Sequence, residues 1–217
     1  MYTPRWYQQE AHDAVIDWWR HTTDSCVVEA ATGAGKSLII AMLAKTLHTL
    51  SNGKRVLCLA PSKELIEQNS QKYRDIGERC SIYSASISRS LTHQVVFATE
   101  GTFKKVARQH GKDFAGVIID ESHRITGTIK QIIEDLKEGN PNLRVCGLSA
   151  TPYRLGDGFI FAIDKNGKPI HESQARDPYF KRLVYHIGAH QLINEGFLTP
   201  VRVGEINAKQ YDTSGLQ

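Results

Sequence analysis

The sequence predicts an α/β fold, a mostly parallel sheet with helices on both faces, organised around a glycine-containing loop between a strand and a helix. Three observations predict it. Over residues 1–150, continuous apolar runs alternate with one-faced amphipathic segments, and strands buried on both faces have that composition. Val27-Val28, then Glu29-Ala30-Ala31-Thr32-Gly33-Ala34-Gly35-Lys36-Ser37, then apolar Leu38–Ala44 read as strand end, small-residue turn and helix start. Gly116-Val117-Ile118-Ile119 is a further apolar run, and it ends in Asp120-Glu121.

Composition sets the outer limits. The 217 residues suit one large domain, with 41% hydrophobic and 23% charged residues. The net charge of +4 permits a nucleic-acid partner without requiring one. The four cysteines, Cys26, Cys58, Cys80 and Cys146, form no C-x-x-C pair and lie in or beside apolar runs. They are expected to be buried free thiols of a reduced cytoplasmic protein rather than metal ligands. No apolar run is long enough for a membrane span, and Met1–Trp6 lacks the apolar core of a signal peptide.

Taken in order, Tyr7, Ala11, Ala14, Val15 and Trp18 mark a helix over 5–20, with Pro4 just ahead of it. Val27–Ala30 is the first strand, and residues 36–50 form the helix after the loop. Ser51-Asn52-Gly53-Lys54 turns the chain into the strand Arg55–Ala60, which Pro61-Ser62 stops. Leu65, Ile66, Asn69 and Tyr73 share one side of a helix over 63–75. A short strand at 81–83, a polar loop over 84–92, a strand at 94–98 and a helix over 101–109 follow. After the strand 116–120, Ile129, Ile132, Ile133 and Leu136 define a helix ended by Gly139-Asn140-Pro141, and Leu143–Leu148 is another strand. Phe159–Ile163 and Ile170-His171 flank an Asn166-Gly167 turn and read as a β-hairpin. Its Lys165 and Lys168, with Phe159 and Phe161, suit either a clamp on nucleic acid or a surface hairpin packed by its aromatics. A short helix at 188–196, a strand at 199–206 and a polar tail complete the chain.

The loop carries chemistry. Its glycines let backbone N–H groups converge, and the helix that follows adds partial positive charge at the same point. Lys36 can reach β- and γ-phosphate oxygens, and the Ser37 hydroxyl can ligate Mg²⁺. The pattern G-x-x-x-x-G-K-[ST] wants glycine where Ala30 stands; Gly33, Gly35, Lys36 and Ser37 are intact. In a parallel sheet Asp120 and Glu121 fall on the same edge as the loop. Asp120 can hold Mg²⁺, and Glu121 can deprotonate the attacking water. The alternative is an N-cap for a helix starting near Ser122. His123 follows at once, placed to hydrogen-bond toward Ser149-Ala150-Thr151.

Ala31-Thr32-Gly33-Ala34-Gly35-Lys36-Ser37, Asp120-Glu121-Ser122-His123 and Ser149-Ala150-Thr151 resemble motifs I, II and III of superfamily 2 helicases, motif II being of the DExH kind. Arg5-Trp6-Tyr7-Gln8 resembles the Q motif, Leu59–Leu65 motif Ia, and Phe97–Phe103 motif Ib. Arg5–Ala11, Leu148–Gly156 and Glu195–Pro200 are similar to the RadD group of bacterial DNA-repair helicase-like ATPases. The resemblance implies a RecA-like first motor domain that hydrolyses ATP with Mg²⁺. In that reading Gln8 meets the adenine edge with Arg5 and Tyr7 nearby, and Thr32, Gly33, Ala34, Gly35, Lys36 and Ser37 hold the phosphates. Glu121 and Lys36 are catalytic, Ser37 and Asp120 ligate Mg²⁺, and His123, Ser149 and Thr151 couple the site to Pro61, Ser62, Lys63, Thr99 and Gly101 on the nucleic-acid backbone. From the residues alone, Pro61-Ser62 is equally a helix start and Thr99 a strand end.

The expected partner is nucleic acid, DNA above RNA, with no membrane. The expected organisation is a domain over 1–206 with a hairpin insertion at 157–185, then a linker over 207–217 toward a second RecA-like domain. The motif VI arginine and a zinc element of the resembled group match nothing in 1–217, so very low hydrolytic activity is expected of this chain alone. The function that follows is a helicase or translocase, in DNA repair or recombination. The alternatives are the duplex-translocating motor of a restriction–modification enzyme and an ATP-dependent switch or scaffold that moves nothing.

Overall fold

Period-two burial builds the centre of the molecule. In the computed structural model, which describes residues 3–200, the strands are β1 (Cys26–Ala30), β2 (Arg55–Leu59), β3 (Cys80–Ser84), β4 (Ser88–Arg89), β5 (Val95–Ala98), β6 (Phe114–Ile119), β7 (Arg144–Ser149), β8 (Tyr153–Arg154), β9 (Gly158–Phe159), β10 (Phe161–Ile163) and β11 (Phe180–Ile187). Nine of them form one sheet in the order β10-β11-β1-β7-β6-β2-β5-β3-β4. Every pairing in it is parallel except β3 with β4. Alternate residues face opposite cores: Val28, Cys58, Val95, Phe97 and Cys146 to one side, Val27, Leu57, Leu59, Val96 and Val145 to the other.

Helices cover both faces. On the first lie α1 (Trp6–His21), α2 (Lys36–Leu50), α3 (Lys63–Asp75) and α6 (Ala189–Asn194), burying Tyr7, Ala11, Val15, Ile39, Leu43, Ile66, Tyr73 and Leu192. On the second lie α4 (Glu100–Phe103) and α5 (Gly127–Gly139), with Phe103, Ile129, Ile132, Ile133 and Leu136 inward. Caps fix where the helices begin. Ser62 Oγ accepts from Leu65 N at 3.3 Å for α3, and Thr126 Oγ1 accepts from Ile129 N at 3.1 Å for α5. Helix α2 has no side-chain cap and starts directly from left-handed Gly35, which leaves its first amides for a ligand.

Several expectations need adjustment. The polar segment 84–92 is not all loop, because Ser88 and Arg89 pair back on β3. The helix expected over 101–109 is only the single turn α4 followed by a 3-10 stretch, Ala107–Asp113. Phe103 is anchored edge-on between Tyr83 and Phe114, at centroid distances of 5.9 and 5.4 Å, and the helix ends at it. The Asn166-Gly167 turn forms, closed by Asp164 N to Lys168 O at 2.9 Å and Ile170 N to Ala162 O at 2.8 Å. Its first arm, however, is β10, which joins the main sheet beside β11. Phe159 belongs instead to the small antiparallel pair β8–β9. Phe161 is 3% exposed and Phe159 rests on it at 5.1 Å, so the aromatics pack the hairpin onto the domain while Lys165 and Lys168 stay exposed. Strand β11, parallel to β1, occupies residues for which no strand is expected. The strand expected at 199–206 lies, from residue 201 on, outside the described residues.

All four cysteines are free and buried, and burial pushes the Cys26 and Cys58 thiols well up. Among the described residues no helix is long and apolar enough to cross a membrane.

Candidate nucleotide-binding site

The site is assembled where β1, β7 and β6, adjacent in the sheet, reach their C-terminal ends. Gly33 and Gly35 bend the loop through left-handed conformations, φ 83° and 82°. Gly35 has a second reason to be glycine: a Cβ there would lie 2.5 Å from Gln8 Nε2. Ala31 N donates to Ile187 O at 3.1 Å, so β11 steadies the start of the loop. Lys36 Nζ lies 3.5 Å from Ala30 O and 3.8 Å from Glu121 Oε1, spanning the gap between the loop and the acidic pair.

Asp120 is 5% exposed. Its Oδ1 accepts from Glu121 N at 2.9 Å, and its Oδ2 accepts from Asn69 Nδ2 at 2.8 Å. Burial raises its pKa; the Asn69 bond opposes that, and the neighbouring Glu121 charge adds to it. Glu121 is a non-glycine residue in the left-handed region, φ 49° and ψ 46°, a conformation costing roughly 1–3 kcal/mol. The strain accompanies a position in which its carboxylate faces Lys36 on one side and His123 Nδ1, at 3.3 Å, on the other. The N-cap alternative receives no support: the turn after Glu121 is a three-residue 3-10 turn with no side-chain cap.

His123 Nδ1 is also 2.9 Å from Ser149 Oγ, which accepts from Thr151 N at 3.0 Å. This is the contact expected between the two segments. Burial lowers the His123 pKa against the opposing pull of the Glu121 charge, which favours the neutral ring. Arg154, the nearest arginine to this segment in sequence, is spent on backbone: Nε donates to His123 O at 2.7 Å and Nη2 to Ile125 O.

Gln8 stands differently from the expectation that it presents its amide to a base. It is 5% exposed, its Oε1 accepts from Arg5 N at 2.9 Å, and its Nε2 donates to Ala34 O at 2.9 Å. It therefore ties α1 to the phosphate loop. Arg5 Nη1 donates to the Tyr7 hydroxyl at 3.0 Å, and its guanidinium sits 5.0 Å from the Phe197 ring. Tyr7 meets the same ring edge-on at 5.3 Å. A cavity of about 650 Å³, lined in part by Pro4, Gln9, Leu38 and Met42, runs beside this group along α2.

The residues expected at nucleic acid form a separate rim. Pro61 and Lys63 are exposed, and Ser62 caps α3. Thr99 precedes α4, with Oγ1 donating to Thr102 Oγ1 at 3.1 Å, and a Cβ on Gly101 would meet open space. Pro61 and Glu100 share a cavity of about 260 Å³ with Asp120, Glu121 and Arg124, so the rim adjoins the acidic pair.

Four residues of the site were not singled out by chemistry in the sequence. Gln68 Nε2 donates to Ser37 Oγ at 3.0 Å, and Asn69 holds Asp120. Asn69 carried a signal, a polar residue on an apolar helical stripe; Gln68 carried none. Phe197 covers Arg5 and Tyr7, and Leu198 crowds Gly33, where an added Cβ would lie 2.9 Å from its Cδ2. The donor set suits Mg²⁺. No cluster of three metal-ligating side chains exists among the described residues. An ion here would take one hydroxyl and one carboxylate, with phosphate and water oxygens for the remainder, as Mg²⁺ does.

Similar proteins agree with this architecture. The family model described as Type III restriction enzyme, res subunit, matches residues 1–154. The chain is 25% identical over 214 residues to the Type I restriction enzyme EcoAI endonuclease subunit of Escherichia coli, covering 94% of this chain and 24% of that protein. The structure superposes on the UvsW helicase of bacteriophage T4 with a TM-score of 0.60 at 22% identity, over 85% of this chain and 60% of that one. It superposes on the Type ISP restriction–modification enzyme LlaGI, solved with a DNA substrate mimic, with a TM-score of 0.63 at 16% identity, over 90% of this chain and 21% of that one.

Proposed function

We propose that this chain, which belongs to the Type III restriction enzyme res-subunit family, is the ATP-binding first motor domain of a superfamily 2 DNA helicase or translocase. The observation that carries the reading is the convergence of Lys36, Ser37, Asp120 and Glu121 on one edge of the sheet. The loop amides and Lys36 bind the phosphates. Ser37 and Asp120 hold Mg²⁺, which when bound neutralises charge on the β- and γ-phosphates. Glu121 takes the proton of the attacking water. His123, through Ser149, passes the state of that carboxylate to the segment that follows β7.

The substrate is DNA, bound through its backbone along Pro61, Ser62, Lys63, Thr99 and Gly101, so affinity is largely independent of sequence. A DExH motor of the RadD type in DNA repair or recombination fits the residues of motif II and the Leu148–Gly156 phrase. A duplex-translocating restriction motor is the second reading, favoured by the family and by the EcoAI relative. In both, a second RecA-like domain supplies an arginine to the γ-phosphate, and the free buried cysteines suit a reducing cytoplasm.

The test is ATP hydrolysis measured with single-stranded DNA, duplex DNA and RNA, on the protein including its second domain. The reading requires stimulation by DNA. Hydrolysis indifferent to all three would leave a conformational switch. Strand displacement separates a helicase from a translocase that moves on duplex without opening it.

A further inference from the structure

Helix α3 touches both halves of this machinery. Its N-terminus, capped by Ser62, carries Pro61 and Lys63 at the exposed rim. Roughly 10 Å further along the same helix, Gln68 Nε2 donates to Ser37 Oγ at 3.0 Å and Asn69 Nδ2 donates to Asp120 Oδ2 at 2.8 Å. Those oxygens belong to the two side chains that suit Mg²⁺.

Packing does not account for either amide. Asn69 is 2% exposed and lies on the stripe that buries Ile66 and Tyr73. A leucine would serve a packing role there without the cost of burying an amide. Among the described residues its Oδ1 has no hydrogen-bond partner, and the bond to Asp120 orients the group. Gln68 is on the exposed side of α3, yet its side chain turns back across to α2.

We propose that Gln68 and Asn69 are positioning residues that lock the Mg²⁺ ligands Ser37 and Asp120 to α3, so that Mg²⁺–nucleotide and a nucleic-acid backbone at the α3 N-terminus bind as linked events. The inference rests on the reading of the nucleotide site given above. Each amide donates to an oxygen that is needed as a metal ligand, fixing its direction and leaving its other lone pairs for the ion. A helix is stiff over this length, so α3 seated against Ser37 and Asp120 also fixes where its capped N-terminus presents Lys63. Coupling of this kind is reciprocal.

Binding, not turnover, tests it. A fluorescent ATP analogue is titrated in Mg²⁺ and in EDTA, and a labelled single-stranded oligonucleotide is titrated with and without the Mg²⁺–analogue. In the unaltered protein each ligand is expected to tighten the other. Gln68→Ala should leave affinity in EDTA intact, cut the Mg²⁺ advantage about five-fold, the worth of one hydrogen bond, and shrink the oligonucleotide enhancement. Asn69→Leu, which keeps the stripe filled, should do the same with an unchanged circular dichroism spectrum. A Gln68→Ala protein that retains both the Mg²⁺ advantage and the oligonucleotide enhancement would overturn the proposal. Failure of the unaltered protein to bind the analogue in Mg²⁺ would instead reject the nucleotide site itself, and this inference with it.

Discussion

Residues 26–149 and residues 153–176 meet at the same sheet but are held there by different means. The first region is built from strands of four to six residues whose side chains alternate between two apolar cores, apart from β4 at its edge. The second consists of two- and three-residue strands fastened by single backbone bonds, such as Phe159 N to Gln174 O at 2.7 Å and Arg176 N to Asp157 O at 2.9 Å. Its Tyr153 and Phe159 rings meet edge-on at 5.4 Å. Reactive groups stand at strand ends in the first region, where the sheet fixes them. In the second, the Arg154 side chain reaches back to the segment after β6, and it does so through the backbone carbonyls of His123 and Ile125. The contrast implies that the nucleotide site should survive damage to residues 153–176, and that damage at the strand ends should leave the fold standing.

The sharpest break of that comparison is Lys36→Ala. It should abolish nucleotide binding while melting temperature stays within a few degrees, since Lys36 sits at the mouth of the loop and not in a core. Equilibrium binding of a fluorescent ATP analogue reads it; retained affinity would remove the phosphate-loop assignment. Glu121→Gln should keep Mg²⁺–ATP affinity and slow hydrolysis by ~10²–10⁴, because the amide keeps shape and loses basicity. Single-turnover hydrolysis on the protein with the proposed second domain checks this, and unchanged turnover would make Glu121 structural.

Gly158→Ala attacks the other region. A Cβ there would lie 1.9 Å from Gln174 O, at a backbone φ of 87°. The expected cost is about 1–3 kcal/mol, seen as a melting temperature lower by about 2–4 °C per kcal/mol, with nucleotide affinity unchanged. Loss of affinity would show that the regions are not separable. Gln8→Ala should weaken ATP and GTP alike in a competition assay, because both ends of its amide are spent on Arg5 and the loop; a narrowed preference for ATP over GTP would show that Gln8 meets the base. Leu155, 96% exposed at the tip between β8 and β9, marks the small end of the scale. Leu155→Ser should move stability by no more than about 0.5 kcal/mol in a denaturant titration.

The same contrast explains what was legible in the sequence. Period-two and helical burial produce apolar runs, so β1, β2, β5, β6, β7 and the long helices can be located from pattern alone. The loop and Asp120-Glu121 could be placed on one edge because parallel strands put their C-termini there. Strand β11 escaped because Lys181, Arg182 and His186 interrupt its apolar residues, and its burial is irregular. Helix α4 stops early because Phe103 is held by Tyr83 and Phe114, partners distant along the chain. The bonds of Gln8 to Ala34, Gln68 to Ser37 and Asn69 to Asp120 join separate elements, and no local pattern encodes such pairs.

Hydrogen exchange with and without Mg²⁺ and a non-hydrolysable ATP analogue tests the central claim most directly, because it reads both regions at once. The account predicts slowed exchange over residues 31–38, 63–70 and 119–124, and unchanged exchange over 153–176. Slowed exchange confined to 153–176, with 31–38 unaffected, would contradict it.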